Sequence, residues 1–466
     1  MLMNEKVAKA LGYVDEKYIT AAARRKKRKR FWLGAAAAVL ALVFLFQTPN
    51  IPLVITAKAV SLSSPSRKIE RPDIRSDEYD LWYEEHQKRT ETVNAAMAPV
   101  VDFSVDCSAR VLSGTDAKNR VWSPINAYLA LAITAELTDG ADRQKLMELL
   151  GVTELEELRT KVSALWEQVY ADNGKEISVL ANSLWLDKGI TYQQEALDTL
   201  AYHYYTSVYQ GDLGSGRTNR DMANWLRNQT GGLLDKRTGS VNISPEAVLA
   251  LASTIYFQSQ WCDKFRAGNN TEGTFHAADG DVRCTFMNRK LAEMNYYWAD
   301  DYGAVRLGLE NNSSMWLILP DEDKTVDDVL RSSDYIAMAT YSDAFPEENH
   351  KRMKVNLSVP KFDISSGIDL EPALKELGLA ALFTPDGNHF STVLESEMPV
   401  FIDSIHQDTR VTIDEDGVKA ASYLVLQGAG SAEPPTEIID FILDRPFVFV
   451  IATNSIPLFV GTVNHP

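Results

Sequence analysis

The side chains of this 466-residue sequence best suited to nucleophilic, acid–base or metal chemistry are seven histidines and three cysteines, and their spacing organises none of it. His86, His203, His276, His350, His389, His406 and His465 form no HExxH, and the chain has no GxSxG, GxxxxGKS or GxGxxG. No catalytic residue, metal site or cofactor is therefore assigned, and an enzyme is not expected. Cys107, Cys262 and Cys284 cannot all pair, and their wide spacing suits neither a zinc site nor a CxxC redox pair. Buried structural thiols are the expectation.

Charge is divided unevenly along the chain. Residues 1–30 hold ten Lys and Arg against three Asp and Glu, a net of +7, so the other 436 residues sum to −24 within a total of −17. An acidic body excludes a nucleic-acid binder, which needs a basic face for phosphates. With 45% hydrophobic and 24% charged residues, the chain is not wholly disordered, collagen-like or a coiled coil, and it has material for one large core.

The basic run RRKKRKR at 24–30 is followed at once by FWLGAAAAVLALVFLF, sixteen uncharged residues at 31–46. As a helix this run covers about 24 Å of a bilayer core near 30 Å, and Gln47 and Thr48 extend it before Pro49. A single membrane span over 31–48 is expected, with Trp32 as an interfacial aromatic and the cations holding residues 1–30 in the cytoplasm. Everything from residue 49 onward then lies outside the cell. The alternative is secretion after signal cleavage behind Ala57-Lys58-Ala59, although thirty residues before the apolar run and thirteen after it are long for that class.

Within residues 1–23, ALGYVDEKYI reads as a short cytoplasmic helix without chemistry. Residues 49–94 read as a polar extracellular tether, with Ser63, Ser64, Pro65, Ser66 and Pro72 among many charges and a helical piece near 79–89. From 95 to 466 the periodicity is that of one compact domain. Apolar stripes predict helices at 125–137, at 143–152 closed by Gly151, and at 195–205. Extended apolar runs at 177–186, 247–257, 314–320, 355–364, 446–453 and 456–463 predict strands. Helices weighted to the first half and strands to the second make an α+β fold rather than a doubly wound one.

Nine segments in a fixed order carry a resemblance that spacing alone does not. They are VWSPINAYLALAITAELTDGADRQKLMELLG, NSLWLDKG, MANWLRNQTGG, STIYFQSQWCDKF with NTEGTFH, VPKFDI, LGLAALFT with HFS, VTIDEDGVKAAS, RPFVFVI, and PLFVGTVNHP. From residue 99 to 466 the chain resembles a serpin. The resemblance implies a large central β-sheet with further sheets and an exposed reactive loop. It implies a suicide-substrate inhibitor: a serine protease cuts the loop, whose N-terminal part enters the central sheet as a new strand while the protease stays attached as an acyl-enzyme. Catalysis belongs to the victim's own triad.

The resemblance places the hinge at Glu415-Asp416-Gly417 and the mobile segment at 418–441. Read with period two, Val418, Ala420, Ser422, Leu424 and Leu426 would share the inward face, and Lys419, Ala421, Tyr423, Val425 and Gln427 the outward one. The inward face is small or apolar throughout, as a buried face requires, and Gly417 frees the bend. Val418, Lys419, Ser422 and Tyr423 depart from the family's inhibitory hinge, which keeps a non-inhibitory, serpin-fold surface binding protein open as the alternative.

Counting from the hinge puts the scissile carbonyl at Ser431, and counting back from Arg445-Pro446-Phe447 puts it at Ala432. Small residues there suit a protease with a shallow primary pocket, elastase-like or subtilisin-like, and the absence of Arg and Lys from 428–435 disfavours a trypsin-like one. The polar shutter beneath the parting strands maps to Ser123, Asn126, Ser253 and His406, and the breach tryptophan at the sheet's upper opening to Trp261. The domain is expected to act as a monomer.

Overall fold

The computed structural model describes residues 53–54, 78–114, 118–172, 177–232, 241–310, 312–332, 334–340, 346–394, 399–418 and 435–466. The expected span 31–48, its basic flank, and the loop residues Lys419, Ala420, Ala421, Ser422, Ser431 and Ala432 lie outside the described residues. Among the described residues no helix is long and apolar enough to cross a membrane.

Helices α1 (Glu78–Leu112), α2 (Pro124–Leu137), α3 (Gly140–Leu149), α4 (Leu155–Val169), α5 (Gln194–His203) and α6 (Gly216–Gln229) fill the first half, with short α7 (Val326–Arg331) and α8 (Asp334–Thr340) later. The strands are β1 (Leu53–Val54), β2 (Arg120–Trp122), β3 (Ala171–Asp172), β4 (Ile177–Asp187), β5 (Thr206–Gly211), β6 (Leu249–Gln260), β7 (Thr271–Ala277), β8 (Gly280–Trp298) and β9 (Tyr302–Leu309). They continue with β10 (Ser313–Pro320), β11 (His350–Pro360), β12 (Phe362–Asp369), β13 (His406–Ile413), β14 (Gly417–Val418), β15 (Ile438–Ile442), β16 (Phe447–Thr453) and β17 (Ile456–Val463). The fold is α+β.

The central sheet runs β1-β5-β4-β6-β14, with β3 on β4. A nine-stranded sheet runs β15-β11-β8-β9-β10-β16-β17-β2, with β7 on β8, and β12 pairs only with β13. Strands β10, β16 and β17 are buried along their whole length, which is why their sequences read as unbroken apolar runs rather than alternating ones. Helix α2 lies against β6 and β17. Every residue of its sequence PINAYLALAITAEL except Ala130 is buried, as in a helix threading a core. Pro124 at its first turn and the Ser123 hydroxyl, which accepts from the Asn126 N–H, fix its start.

Helix α1 is one unbroken element from Glu78, so it passes through residue 95, where the sequence suggested the end of the tether, and it carries Pro99 in its interior. Among the described residues nothing pairs with the facing edges of β6 and β13 beyond Val418, and a cavity of about 800 Å³ opens between them. Its walls include Leu251 and Ser253 from β6 and His406 and Gln407 from β13, and its floor includes Asn126 and Thr134 of α2 and Phe103 of α1.

Candidate functional site

The slot between β6 and β13 is closed at one end by a tight hairpin. Asp414 N–H donates to the Gly417 carbonyl at 3.1 Å, and the Asp414 carboxylate accepts from the Asp416 N–H at 2.9 Å. The side chain thus caps its own turn, which is what aspartate does well at such a position. Gly417 then approaches β6 so closely, at φ +144°, that an added Cβ would stand 2.4 Å from the Ser259 carbonyl oxygen. No other residue fits there without lifting the chain.

Beyond the turn the chain enters the central sheet. Gly417 pairs with Gln260 and Val418 with Ser259, antiparallel. Val418 is 4% exposed and Ser259 fully buried. The Asp414–Gly417 bridge also sets Val418 opposite Ile413 of β13, which is buried as well. Opposed residues in an antiparallel pair share a face, so Val418 points into the core.

The hairpin is clamped from three sides. Trp261 donates through its backbone N–H to the Asp416 carbonyl at 3.1 Å and through Nε1 to the Asp414 carbonyl at 2.9 Å. Its buried ring meets Phe265 edge-on at 6.0 Å, and Phe265 N–H donates to the Glu415 carbonyl. Lys264 Nζ sits 2.8 Å from the Asp416 carboxylate, Lys361 Nζ sits 2.5 Å from that of Glu415, and Asn270 also donates to Glu415. Burial pushes the Glu415 carboxyl up, but the hydrogen bonds from Lys361 and Asn270 outweigh it and hold the group below its usual range.

Midway along the slot lies the polar cluster. Asn126 Nδ2 donates to the Ser253 carbonyl at 3.0 Å, and the Ser253 hydroxyl stands 2.5 Å from Asn126 Oδ1 and 2.6 Å from Asn182 Oδ1. Gln407 bridges both backbone groups of Ser123, accepting from its N–H at 2.7 Å and donating to its carbonyl at 3.1 Å. Ser123, Asn126 and Ser253 are therefore brought together. His406, expected with them, is exposed at the rim, and the inward place belongs to Gln407, at 7% exposure. The physical reason is strand alternation: Ile413, Val411, Thr409 and Gln407 face in, so an odd step back from Ile413 lands outside. Asn182, in NSLWLD, was not singled out from the sequence, although its alternation with buried Leu180 and Leu184 on β4 was a usable signal.

The cysteines differ from expectation in part. Cys107 is buried, and burial pushes its thiol up to about 12, but Cys262 is exposed and Cys284 half-buried. Burial is the first cause of a raised pKa in those two as well, so none of the three is an activated thiolate. Among the described residues no three His, Cys, Asp or Glu side chains gather to hold a metal ion.

An open central sheet with its next strand already started is the geometry of a particular family, and the family model described as serpin (serine protease inhibitor) matches residues 99–466. The chain is a serpin. Serpin-ZX of Arabidopsis thaliana is 28% identical over 373 residues, covering 75% of this chain and 92% of its own. Plasminogen activator inhibitor 1 of Bos taurus is 25% identical over 383 residues, covering 80% and 93%. Among solved structures, the native state of the thermophilic serpin Tengpin superposes with a TM-score of 0.69 at 26% identity, covering 79% of this serpin and 94% of that chain. The family is one of protease inhibitors rather than enzymes, in keeping with the absence of catalytic motifs.

Proposed function

We propose that this serpin is a suicide-substrate inhibitor of a serine protease with a small primary pocket, elastase-like or subtilisin-like. The observation that carries the reading is Val418, already paired and buried at the head of an open slot. Continuing the β6 register puts Ala420 opposite Phe257, Leu424 opposite Ser253 and Gly428 opposite Leu249, the first residue of β6. Continuing the hairpin register puts Ala420 opposite Val411 and Leu424 opposite Gln407. On either edge an inserted strand would turn Val418, Ala420, Ser422, Leu424 and Leu426 inward and Lys419, Ala421 and Tyr423 outward.

The chemistry is the protease's. Its serine Oγ attacks the carbonyl of Ser431 or Ala432, its histidine carries the proton to the departing amine, and an ester joins the loop's new end to the enzyme. Freed at that end, the loop continues down the slot. Three or four residues remain between Gly428 and the ester, an extended link of about 10–14 Å. The protease is carried to the far end of the sheet before water can resolve the ester.

The Bos taurus relative is named as an inhibitor of plasminogen activator; the loop here has no Arg or Lys in 428–435, which supports a different protease class. Residues 31–48 anchor the chain as a single span, N-terminus in the cytoplasm and serpin domain outside, and the domain acts as a monomer. The test is incubation with pancreatic elastase and with subtilisin: an SDS-resistant adduct supports trapping. Cleavage without adduct would move the reading to a non-inhibitory surface binding protein, the alternative raised by Lys419 and Tyr423 in the hinge.

A further inference from the structure

Strand β1 lies only a few residues beyond the proposed span. Leu53 pairs with Gln210 and Val54 with Tyr209, antiparallel, on the edge of β5 that no other described strand takes. The local sequence PNIPLVIT suits this, since Ile51, Val54 and Ile55 are β-branched and a residue before proline favours extended backbone. A short added strand also shields an edge that would otherwise offer free backbone groups.

The sheet registers show which end of the molecule is held. Gln210 is level with Leu186 on β4, and Leu186 pairs with Leu249, the first residue of β6. The hinge is at the other extreme, with Gly417 on Gln260. Eleven residues of β6 separate the two levels, about 36 Å at a strand's rise.

We propose that Leu53–Val54 is an anchor latch that fastens the membrane-proximal chain to the far end of the central sheet, fixing the domain with its hinge and reactive loop directed away from the bilayer. This rests on the membrane-span reading given above. From Thr48 to Leu53 the chain can reach at most about 17 Å, so the latched end of the sheet lies close to the lipid surface and the hinge at Gly417 about 36 Å further along the sheet. The proteases it meets are those whose active sites stand clear of the membrane. Insertion to the level of Leu249 carries the trapped enzyme back to the latched end, so the link at 49–52 sets the room left for it beside the bilayer.

The test uses the full chain in phosphatidylcholine–phosphatidylglycerol vesicles containing headgroup nitroxide lipid. A fluorophore is placed in turn at each end of the sheet. At the latched end it goes on Lys188→Cys in a Cys262→Ser, Cys284→Ser background; the Lys188 N–H bonds the Gly211 carbonyl next to the latch, and its side chain is exposed. At the hinge end it goes on natural Cys262 in Cys284→Ser, since Cys262 follows Trp261 of the clamp and is exposed. The expected result is loss of most fluorescence at position 188 and little at 262. The double variant Leu53→Pro, Val54→Pro should still float with the vesicles but lose the difference between the two probes. Equal quenching of both probes in the unlatched and latched chains overturns the latch while leaving the anchor standing. Failure of the chain to float with vesicles overturns the anchor and the orientation together.

Discussion

Val418→Arg separates strand insertion from simple cleavage. In the intact protein Val418 is 4% exposed between Ser259 and Ile413, so the guanidinium has no place in the ladder as it stands. The intact molecule has an escape: among the described residues only Gly417 and Val418 of this strand pair with β6, and the two can lift out together. That loses the burial of one valine, about 1.5–3 kcal/mol, without touching the rest of the core. The inserted state has no such escape, because a strand held along both edges pins residue 418, and burying an unpaired charge costs several kcal/mol. Losing even the valine term from the start of insertion slows it about tenfold to a hundredfold, at about 1.4 kcal/mol per decade. Deacylation then wins. Elastase titration should show the variant folded, cut at the same bond, and releasing active protease, with the adduct band nearly gone. Lys419→Ala, on the outward face of the same strand, should keep its adduct. If Val418→Arg traps protease as well as the parent, the pairing of Val418 with Ser259 is not the start of insertion.

Gly417→Ala should act through the backbone: its Cβ collides with the Ser259 carbonyl, so the hinge pair is lost and adduct yield falls while the melting temperature changes little, because the hinge is peripheral to the core. Mass spectrometry after brief elastase treatment should place the first cut between Gly428 and Pro434, and a first cut at Leu424 or Leu426 would show the loop register to be misassigned. Leu424→Thr should raise the thermal stability gained on loop cleavage, since both registers set residue 424 against the polar side of Ser253 and Gln407, where a hydroxyl finds partners and a leucine does not. His389 bridges the Asp142 carboxylate at 2.6 Å and that of Asp386 at 3.0 Å, with Arg143 next to Asp142 on α3. Burial lowers its pKa, but the bonds to the two carboxylates outweigh this and leave it raised. Its stabilisation is then complete below the unfolded value near 6.5 and is lost as pH rises through the higher folded value. The melting temperature should fall over that window, and His389→Gln should flatten the fall.

The sequence was most legible where one face or a whole element is buried. The helix over 125–137 and the strands over 177–186 and 456–463 fall within α2, β4 and β17 because their apolar patterns report burial directly. Strand β8 escaped notice: over its nineteen residues charged and apolar positions alternate irregularly, and most are only half-covered on either face. Helix α1 hid behind Pro99, which ordinarily ends a helix but here sits mid-element with Met97, Val100 and Val101 buried around it. Trp185 of β4 is buried and stacked on Tyr209. At the site, three of the four shutter positions meet, whereas the fourth was displaced by one residue. On a strand a slip of one exchanges the faces, so an error too small to matter on a loop moved His406 from the cluster to solvent and concealed Gln407.

On the proposed mechanism, the clamp and the polar cluster divide the work of insertion between them. Starting a strand is entropically expensive, since the chain must be brought to the sheet before any ladder forms. Here that step is complete before a protease arrives: Trp261, Phe265, Lys264 and Lys361 hold the turn at Asp414–Gly417, and Val418 is in register. What remains is propagation past Asn126, Ser253 and Gln407, which bond to one another or to Ser123 and must exchange partners as the new strand passes. A satisfied buried network resists such exchange, because each group left unpaired in transit costs about 1–3 kcal/mol. The resistance of the intact loop to entering unaided therefore lies at the middle of the slot, not at its mouth. Cutting the loop changes neither place; it frees the far end, so that the gain from burying Ala420 and Leu426 can be drawn on to cross the polar middle.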